Sequence, residues 1–487
     1  MIALRLPERE QLPSWVFGLG GGLVAGLIAA LFVTAINPLY ALLGFVVIAV
    51  GAVALLLPAG RFWLLAGLIS LLPFAIVPFR LGYQPPILDV LLALLLGVAL
   101  IRYLARAQAG VSTPLDIPIL VYIGLCCVSF VFGTAYGLTG DTIRYFVVIV
   151  ASILLFFALS NGLTDRKLLG SFVNALILGI AGSAVLADGL KLAGEATAMR
   201  VLSALGPLGY PTGGDVLRFI ASTDIWRANS TSIDPNIFGG LLMVGLILLL
   251  GRLLEDVRSR RTWLLTAPGL ALMGWALLLS YSRGAWVGLA AGIAFLVLVR
   301  YRKALPFVFV AAVIAVIALG NSNFGQHLVS GFLIEDKASA MRIGEYKDAL
   351  NFISQYPFFG VGFGTTPNGA SAVTPEADIY VGVSNIYLIM ALEIGLVGIA
   401  SFAAVMATGA TWAWRRFRSA DAWGKNAIAT AGAALFAAGV AGIADHYFFR
   451  YPHMIALFWS LVAILAISSR LSAVHGGVVP PNGRPSS

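Results

Sequence analysis

Residues 262–300 read TWLLTAPGLALMGWALLLSYSRGAWVGLAAGIAFLVLVR. Two apolar runs, 262–280 and 284–300, flank a turn so short that its one charge, Arg283, must sit at a membrane surface or in a polar cavity. Roughly 20 mostly apolar residues are needed to cross the hydrocarbon core of a bilayer, and each run comes close to that length. The stretch therefore reads as two membrane helices joined tightly at one face.

The rest of the chain repeats this pattern. Of its 487 residues, 60% are hydrophobic and only 11% charged, too little charge for a soluble surface of that size. Fourteen candidate spans lie near 14–36, 39–58, 62–79, 86–104, 116–136, 142–160, 168–187, 236–253, 262–280, 284–300, 304–320, 384–412, 426–446 and 452–469. Three of them (62–79, 284–300, 452–469) are short or contain proline, so the expectation is an all-α polytopic bundle of 12–14 spans. The 54 glycines fit, because glycine lets membrane helices approach closely. Arg5 and Arg9 precede an apolar stretch from Trp15 to Ile36 that is too long for a signal sequence, and it reads as a retained first helix. Cys126 and Cys127 are neighbours in one span and imply neither a disulfide framework nor a metal site.

Organisation and orientation follow from loop length and charge. Membrane helices occupy 1–187, 236–320 and 384–469, separated by two long loops at 188–235 and 321–383. A cytoplasmic tail at 470–487 follows, rich in Pro, Gly and Ser from Gly476 onward and read as disordered. With both termini cytoplasmic, most of the 31 lysines and arginines fall on the inside, including Arg252, Arg258, Arg260 and Arg261, then Arg300, Arg302 and Lys303, and Arg415, Arg416 and Arg418. Both long loops then face outward. The net charge of +9 lies mainly along the inner headgroups and calls for no nucleic acid.

Some basic residues fall outside against this bias. Arg80, Arg144, Arg283 and Arg450 occupy short turns or helix ends, and Lys191, Arg200, Arg218, Arg227, Lys337, Arg342 and Lys347 lie in the long loops. A lone interfacial arginine is ordinarily one that snorkels to headgroups. Several converging on one face point instead to a bound anion, and the planar guanidinium fork suits phosphate. In the second loop a helix is expected over Ser339–Ser354, with Ala340, Ile343, Leu350 and Ile353 as an apolar stripe lying along the membrane surface. Arg342 and Glu345, three apart on it, are placed to pair with each other. Pro357 ends that helix, and Gly360, Gly362 and Gly364 permit a tight turn. The glycine string has no strand–helix unit around it and is weak evidence for a nucleotide loop.

Tyr281-Ser282-Arg283-Gly284-Ala285-Trp286-Val287-Gly288 resembles the Ser-Arg-Gly-Ala-Trp stretch of the O-antigen ligase and Wzy-type polymerase superfamily. Arg342 followed by Pro357-Phe358-Phe359-Gly360-Val361-Gly362 resembles that family's large outer loop. Asn385, Tyr387 and Leu388, then Glu393-Ile394-Gly395-Leu396-Val397-Gly398, resemble the helix after it, and Arg227 with Asp234-Pro235-Asn236 resembles another outer segment. The likeness extends over about 215–410. It implies a GT-C-like glycosyltransferase of the bacterial inner membrane that takes a glycan from a polyprenyl-diphosphate carrier at the periplasmic face. The acceptor would be a glycan or lipid A core, and the enzyme would use no metal, cofactor or nucleotide sugar. It further implies Arg227, Arg283 and Arg342 as diphosphate ligands, with Ser384 and Asn385 on the acceptor side.

One departure matters. Ser384 stands where many members carry a histidine thought to activate the acceptor, and serine is a poor base near neutral pH. The remaining candidate bases are His327, Glu393 and the Asp445-His446 pair, in which a carboxylate beside the imidazole would raise its basicity. The ordinary reading of Asp445, His446 and Arg450 is an interfacial cap beside the aromatic belt of Tyr447, Phe448, Phe449 and Tyr451. Loss of the histidine favours a polymerase over a ligase. The competing class is a transporter or flippase of the same lipid-linked glycan, which would be expected to show internal repeats and midplane charges; no repeat is present.

Overall fold

The computed structural model describes residues 57, 59–77, 84–104, 110–134, 140–213, 216–220, 223–320, 325, 337–362 and 383–472. The expected span at 14–36, almost all of 39–58, the tail beyond 472, and Arg80 and His327 lie outside them. The chain divides into two units, Met1–Leu64 and Leu65–Ser487. In the first, the described residues are a turn at Leu57 and the opening of α1 (Gly60–Ser70).

The second unit is helical almost throughout: α2 (Ile87–Leu104), α3 (Asp116–Gly133), α4 (Gly140–Gly162), α5 (Arg166–Ala193), α6 (Glu195–Ser203), α7 (Pro235–Glu255), α8 (Arg260–Ser280), α9 (Arg283–Arg300), α10 (Leu305–Gly320), α11 (Lys337–Gln355), α12 (Ile386–Ser419), α13 (Ala422–Ala441), α14 (Tyr447–Arg450) and α15 (Pro452–Leu471). Among the described residues, 9 helices are long and apolar enough to cross a membrane. Each of the twelve expected spans that fall there corresponds to a helix. Three of these are not among the 9: α1 has 11 residues and α10 has 16, while α13 has 20 but is richer in alanine and glycine. The 62–79 segment is thus helical only to Ser70 and then turns, because Leu72–Phe74 enter a proline-containing loop.

Burial separates inner from outer helices. In α7 and α15, 83% and 89% of the apolar window is buried, against 22% in α2 and α8. A helix apolar all round belongs inside a bundle, whereas the outer helices turn Ile117, Leu265, Phe307 and Ile317 outward, as a protein surrounded by lipid does. α9 packs on α7 and α13 through small residues. A β-carbon on Gly288 would lie 2.4 Å from Met243 Sδ and 2.9 Å from the Ala437 carbonyl, so no other residue fits without displacing a helix. Caps fix the starts: the Asp234 carboxylate accepts from Asn236 and Ile237 N–H, and Asn385 Oδ1 from Tyr387 and Leu388 N–H.

Both long segments are ordered where described. In the first, α5 runs on to Ala193, α6 follows, and a two-stranded hairpin pairs β1 (Arg218–Phe219) with β2 (Trp226–Arg227), Arg218 opposite Arg227. Phe74, Leu190, Leu202, Tyr210, Val216 and Trp226 give this segment a core of its own. In the second, α11 matches the expected helix. Its apolar stripe does not make the contact, since Ile343 and Leu350 stay exposed. The face turned to the start of α12 carries Arg342, Glu345, Tyr346 and Ala349, spaced i, i+3, i+4, i+7.

α12 is broken at Gly395, where φ is +71°. A break at that depth frees backbone groups that lipid cannot satisfy, and the 357–362 turn of the second loop satisfies them. Val361 N–H donates to Leu392 O (2.8 Å), and Leu396 and Val397 N–H donate to the Pro357 and Phe358 carbonyls (2.8 and 3.3 Å). Ser129 Oγ takes the Glu393 carbonyl at 2.6 Å. The glycine turn is thus a backbone plug.

Candidate functional site

The Ser280–Arg283 turn places Tyr281 in the left-handed region (φ 51°) and starts α9 at Arg283, whose side chain is half-buried. Arg227 reaches the same turn from the hairpin. Its Nε donates to Ser280 O (2.8 Å), and its Nη2 to Tyr281 O (3.3 Å) and Asn236 Oδ1. Arg227 therefore fastens the hairpin to α7 and α8 while bringing a charge to the turn. Burial lowers its pKa to about 10, opposed by Asp234 and Asp445 and reinforced by Arg283 and Arg342. Arg283 follows Tyr281 by two residues, and a β-carbon on the next residue, Gly284, would lie 3.8 Å from the side chain of Ala444, so the hairpin, the turn and the segment before Asp445 meet.

Asp445 and His446 enter that neighbourhood from the turn after α13. The Asp445 carboxylate is buried; its Oδ1 accepts from His446 N–H at 2.9 Å and lies 3.7 Å from His446 Nδ1, and its Oδ2 lies 3.9 Å from Arg342 Nη2. Neither of these last two separations is a direct hydrogen bond, and the one to Arg342 is an ion pair. Burial raises the Asp445 pKa, and His446 and Arg342 pull it back down. The His446 ring stacks at 5.9 Å on Tyr451, and its Nδ1 lacks a hydrogen-bond partner among the described residues.

Arg342 is held in place by its own helix. Glu345 accepts the Ser384 N–H at 2.9 Å, while the Tyr346 hydroxyl donates toward Ser384 O (2.9 Å) and Ile443 O (3.1 Å). Asn385 Nδ2 donates to Ile443 O as well, at 2.9 Å. Arg342 and Glu345 thus do not pair with each other, because each finds a tertiary partner. Tyr346, one turn beyond Arg342, was legible as a same-face residue but not as the docking contact.

The remaining expected residues lie elsewhere. Glu393 is fully buried with Arg450 Nη1 at 3.4 Å from its Oε1, and the Arg450 guanidinium lies 4.6 Å over the Tyr145 ring. The Tyr145 hydroxyl donates to Phe449 O at 3.1 Å. The structure thus gives Glu393 to a pair between α12 and α14, not to the arginine group. Of the other basic residues expected outside, Arg144 pairs with Asp89 (3.1 Å), and Lys191 donates to Trp226 O (2.7 Å) across the Trp226 ring.

Fold and site together define an all-α polytopic membrane protein in which two loop segments and two turns between helices bring arginines, a carboxylate and an imidazole together. Residues 268–403 match a family model described as O-antigen ligase. The chain is similar to that family over this stretch, which holds Arg283, Arg342, Ser384, Asn385 and Glu393; Arg227, Asp445 and His446 fall outside it. No curated protein matches the chain. The family match supports a membrane protein of the O-antigen ligase/polymerase type in polysaccharide biosynthesis, acting on a lipid-linked glycan and an acceptor.

Proposed function

We propose that this protein is a glycosyltransferase that moves a polyprenyl-diphosphate-linked glycan onto an acceptor sugar at the outer face of the bacterial inner membrane. The observation that carries this reading is the convergence of Arg227, Arg283 and Arg342 beside the buried Asp445-His446 pair. The acceptor hydroxyl attacks the anomeric carbon, the bond to the diphosphate oxygen breaks, and the diphosphate leaves with the electron pair. The three arginines stabilise the charge developing on that leaving group in a site partly screened from water. The hydroxyl proton passes to His446, which Asp445 orients and whose cation it stabilises. Glu393, fully buried against Arg450, is the weaker candidate base. Ser384 offers backbone contacts to α11 and no imidazole, which favours a polymerase acceptor over lipid A core.

The flippase alternative draws on the broken α12 and the buried Glu393–Arg450 pair, features shared with transporters. The backbone plug at 357–362 argues against it, since it fixes the break instead of leaving it free to move.

The test is a deletion strain complemented with wild type or with Arg283→Ala, its surface glycan resolved on gels and membrane levels checked. Single repeats in place of long chains, unrescued by a normally abundant Arg283→Ala, support the polymerase. Full-length polymer stranded on the carrier would mean a ligase, and intermediates held on the cytoplasmic side would sink the transferase reading.

A further inference from the structure

Between α13 and α15 the chain reads Asp445-His446-Tyr447-Phe448-Phe449-Arg450-Tyr451-Pro452-His453. An aromatic belt at the membrane edge would leave its rings exposed, yet Tyr447, Phe448 and Phe449 are buried, so α14 is built into the bundle. Its end is held from several sides. The Phe449 carbonyl accepts from the Tyr145 hydroxyl at 3.1 Å, and Arg450 reaches Glu393 on α12. The Tyr451 carbonyl then accepts from Met454 and Ile455 N–H, both at 2.9 Å, and Pro452 opens α15. Tyr451 therefore sits on a fixed frame. His446 is held differently. Asp445 is its neighbour in the chain, and the hydrogen bond between them goes to the His446 backbone N–H, which leaves the side-chain torsions of the imidazole unset. The carboxylate faces Nδ1 from 3.7 Å, close enough to decide which nitrogen points inward but too far for a hydrogen bond that would fix the ring plane. The plane is met by Tyr451, five residues on: the two rings stack with centroids 5.9 Å apart and planes 27° apart. That separation is ordinary for an offset stack. His453, buried in the first turn of α15, lies 6.4 Å from the same Tyr451 ring at 57° and limits its movement.

We propose that Tyr451 is a positioning residue of the transfer site: its ring, stacked on His446, sets the plane of the imidazole and supports the cation that forms when His446 takes the acceptor's proton. The inference rests on the transferase reading above, with His446 as the base. Nδ1 is the buried nitrogen, so the acceptor's O–H bond breaks toward Nε2 and the new N–H bond forms there. The positive charge that results is shared over the imidazolium and lies beside the electron-rich face of the phenol ring. The phenol does not compete for the role of base. Burial, reinforced by the Asp234 and Asp445 carboxylates and opposed by Arg450 and Arg218, pushes the Tyr451 hydroxyl up to about 12, so it stays protonated at neutral pH. The ring, and not the hydroxyl, carries the function.

The experiment uses the full-length protein in detergent micelles, with carrier-linked glycan extracted from the deletion strain as substrate. The chain has 4 histidines, so histidine-selective labelling resolves them by NMR and His446→Gln assigns the one at issue. In wild type the His446 ring protons should lie upfield of an unstacked imidazole and show cross-peaks to the Tyr451 ring. Both features should persist in Tyr451→Phe and vanish in Tyr451→Leu. Transfer should follow the ring: kcat stays within about twofold of wild type in Tyr451→Phe and falls about tenfold in Tyr451→Leu, with KM within about twofold in both. Membrane abundance and melting point are measured for each variant. If Tyr451→Leu does not accumulate, Tyr451→Met replaces it, and the wild-type cross-peaks test the contact without any variant. Their absence would overturn the proposal. So would a Tyr451→Phe as impaired as Tyr451→Leu, which would give the role to the hydroxyl, or a Tyr451→Leu with wild-type kcat. A fully active His446→Gln would instead remove His446 as the base, and with it the reading on which the inference rests, even where the spectrum shows the stack.

Discussion

Arg283 sits half-buried at the first position of a helix, where its charge does not serve the N-terminal dipole, so its place there answers to something other than helix stability. Removing it should cost one or two charge-assisted contacts to the leaving group, about 1.5–3 kcal/mol each, or roughly ten- to hundredfold in kcat/KM per contact. Arg283→Lys should recover only part of that loss, because an ammonium lacks the fork, and normal membrane abundance of both variants would separate this from misfolding. Asp445 makes the opposite trade. Burial raises its pKa above the ordinary carboxylate value, so the stability it contributes is present below that ordinary value and is lost as pH rises through the folded one. Once ionised, the buried carboxylate burdens the fold. Asp445→Asn should therefore unfold no earlier than wild type at pH 7, since Arg342 is partly exposed and can be solvated, while kcat falls by a factor on the order of 10²–10⁴. The acid limb of the pH–rate profile should lie above the ordinary carboxylate range and move in the Asn variant. A melting temperature well below wild type would show Asp445 to be structural.

At the scale of elements, the second loop is held by two devices that sequence pattern alone does not disclose. One is the plug at the α12 break. A β-carbon at Gly395 would lie 2.1 Å from the Phe358 carbonyl, at a positive φ with extended ψ that is essentially restricted to glycine and costs another residue on the order of 1–3 kcal/mol before the clash is counted. Gly395→Ala should lower both abundance and thermal stability, and Gly398→Ala is no control because it too is crowded. The other device is Tyr346. Tyr346→Phe leaves the Ser384 and Ile443 carbonyls without that donor, at about 1–3 kcal/mol, and should loosen α11 while the bundle persists. Faster proteolysis in 337–362 with an unchanged melting point is the expected signature, and KM should rise more than kcat falls. The apolar periodicity located α11 within two residues at its start but did not disclose which face meets the bundle. Periodicity reports where hydrocarbon lies, and this helix docks by hydrogen bonds and an ion pair.

Across the whole molecule, the bias of lysine and arginine predicts an orientation that a labelling experiment can check. In a variant with Cys126 and Cys127 replaced by serine, a new cysteine at Lys347 should react with an impermeant maleimide in intact spheroplasts, and one at Arg258 only after permeabilisation. The reverse pattern would turn the site toward the cytoplasm and remove the proposed substrate from its reach. The buried pair of Glu393 and Arg450 belongs to this scale as well, because it ties the broken helix to the segment that carries Asp445 and His446. Glu393→Ala would remove the fully buried partner of a partly exposed Arg450 and the tie between α12 and α14, and should be felt as lost abundance before lost chemistry.

The sequence by itself determined the membrane architecture. Hydrocarbon demands roughly 20 apolar residues per crossing and internal hydrogen bonding, constraints local enough to read one segment at a time, and the motifs between 227 and 398, taken together, pointed to a family. Which arginines meet was decided only by tertiary structure. Arg227, Arg283 and Arg342 lie on a hairpin, a helix start and a loop helix far apart in sequence, and Asp445 comes from a fourth place. The same holds for Glu393, whose position on a membrane helix was legible while its partner across the bundle was not. An ion pair is chosen by distance and burial in three dimensions, and spacing along a chain carries neither.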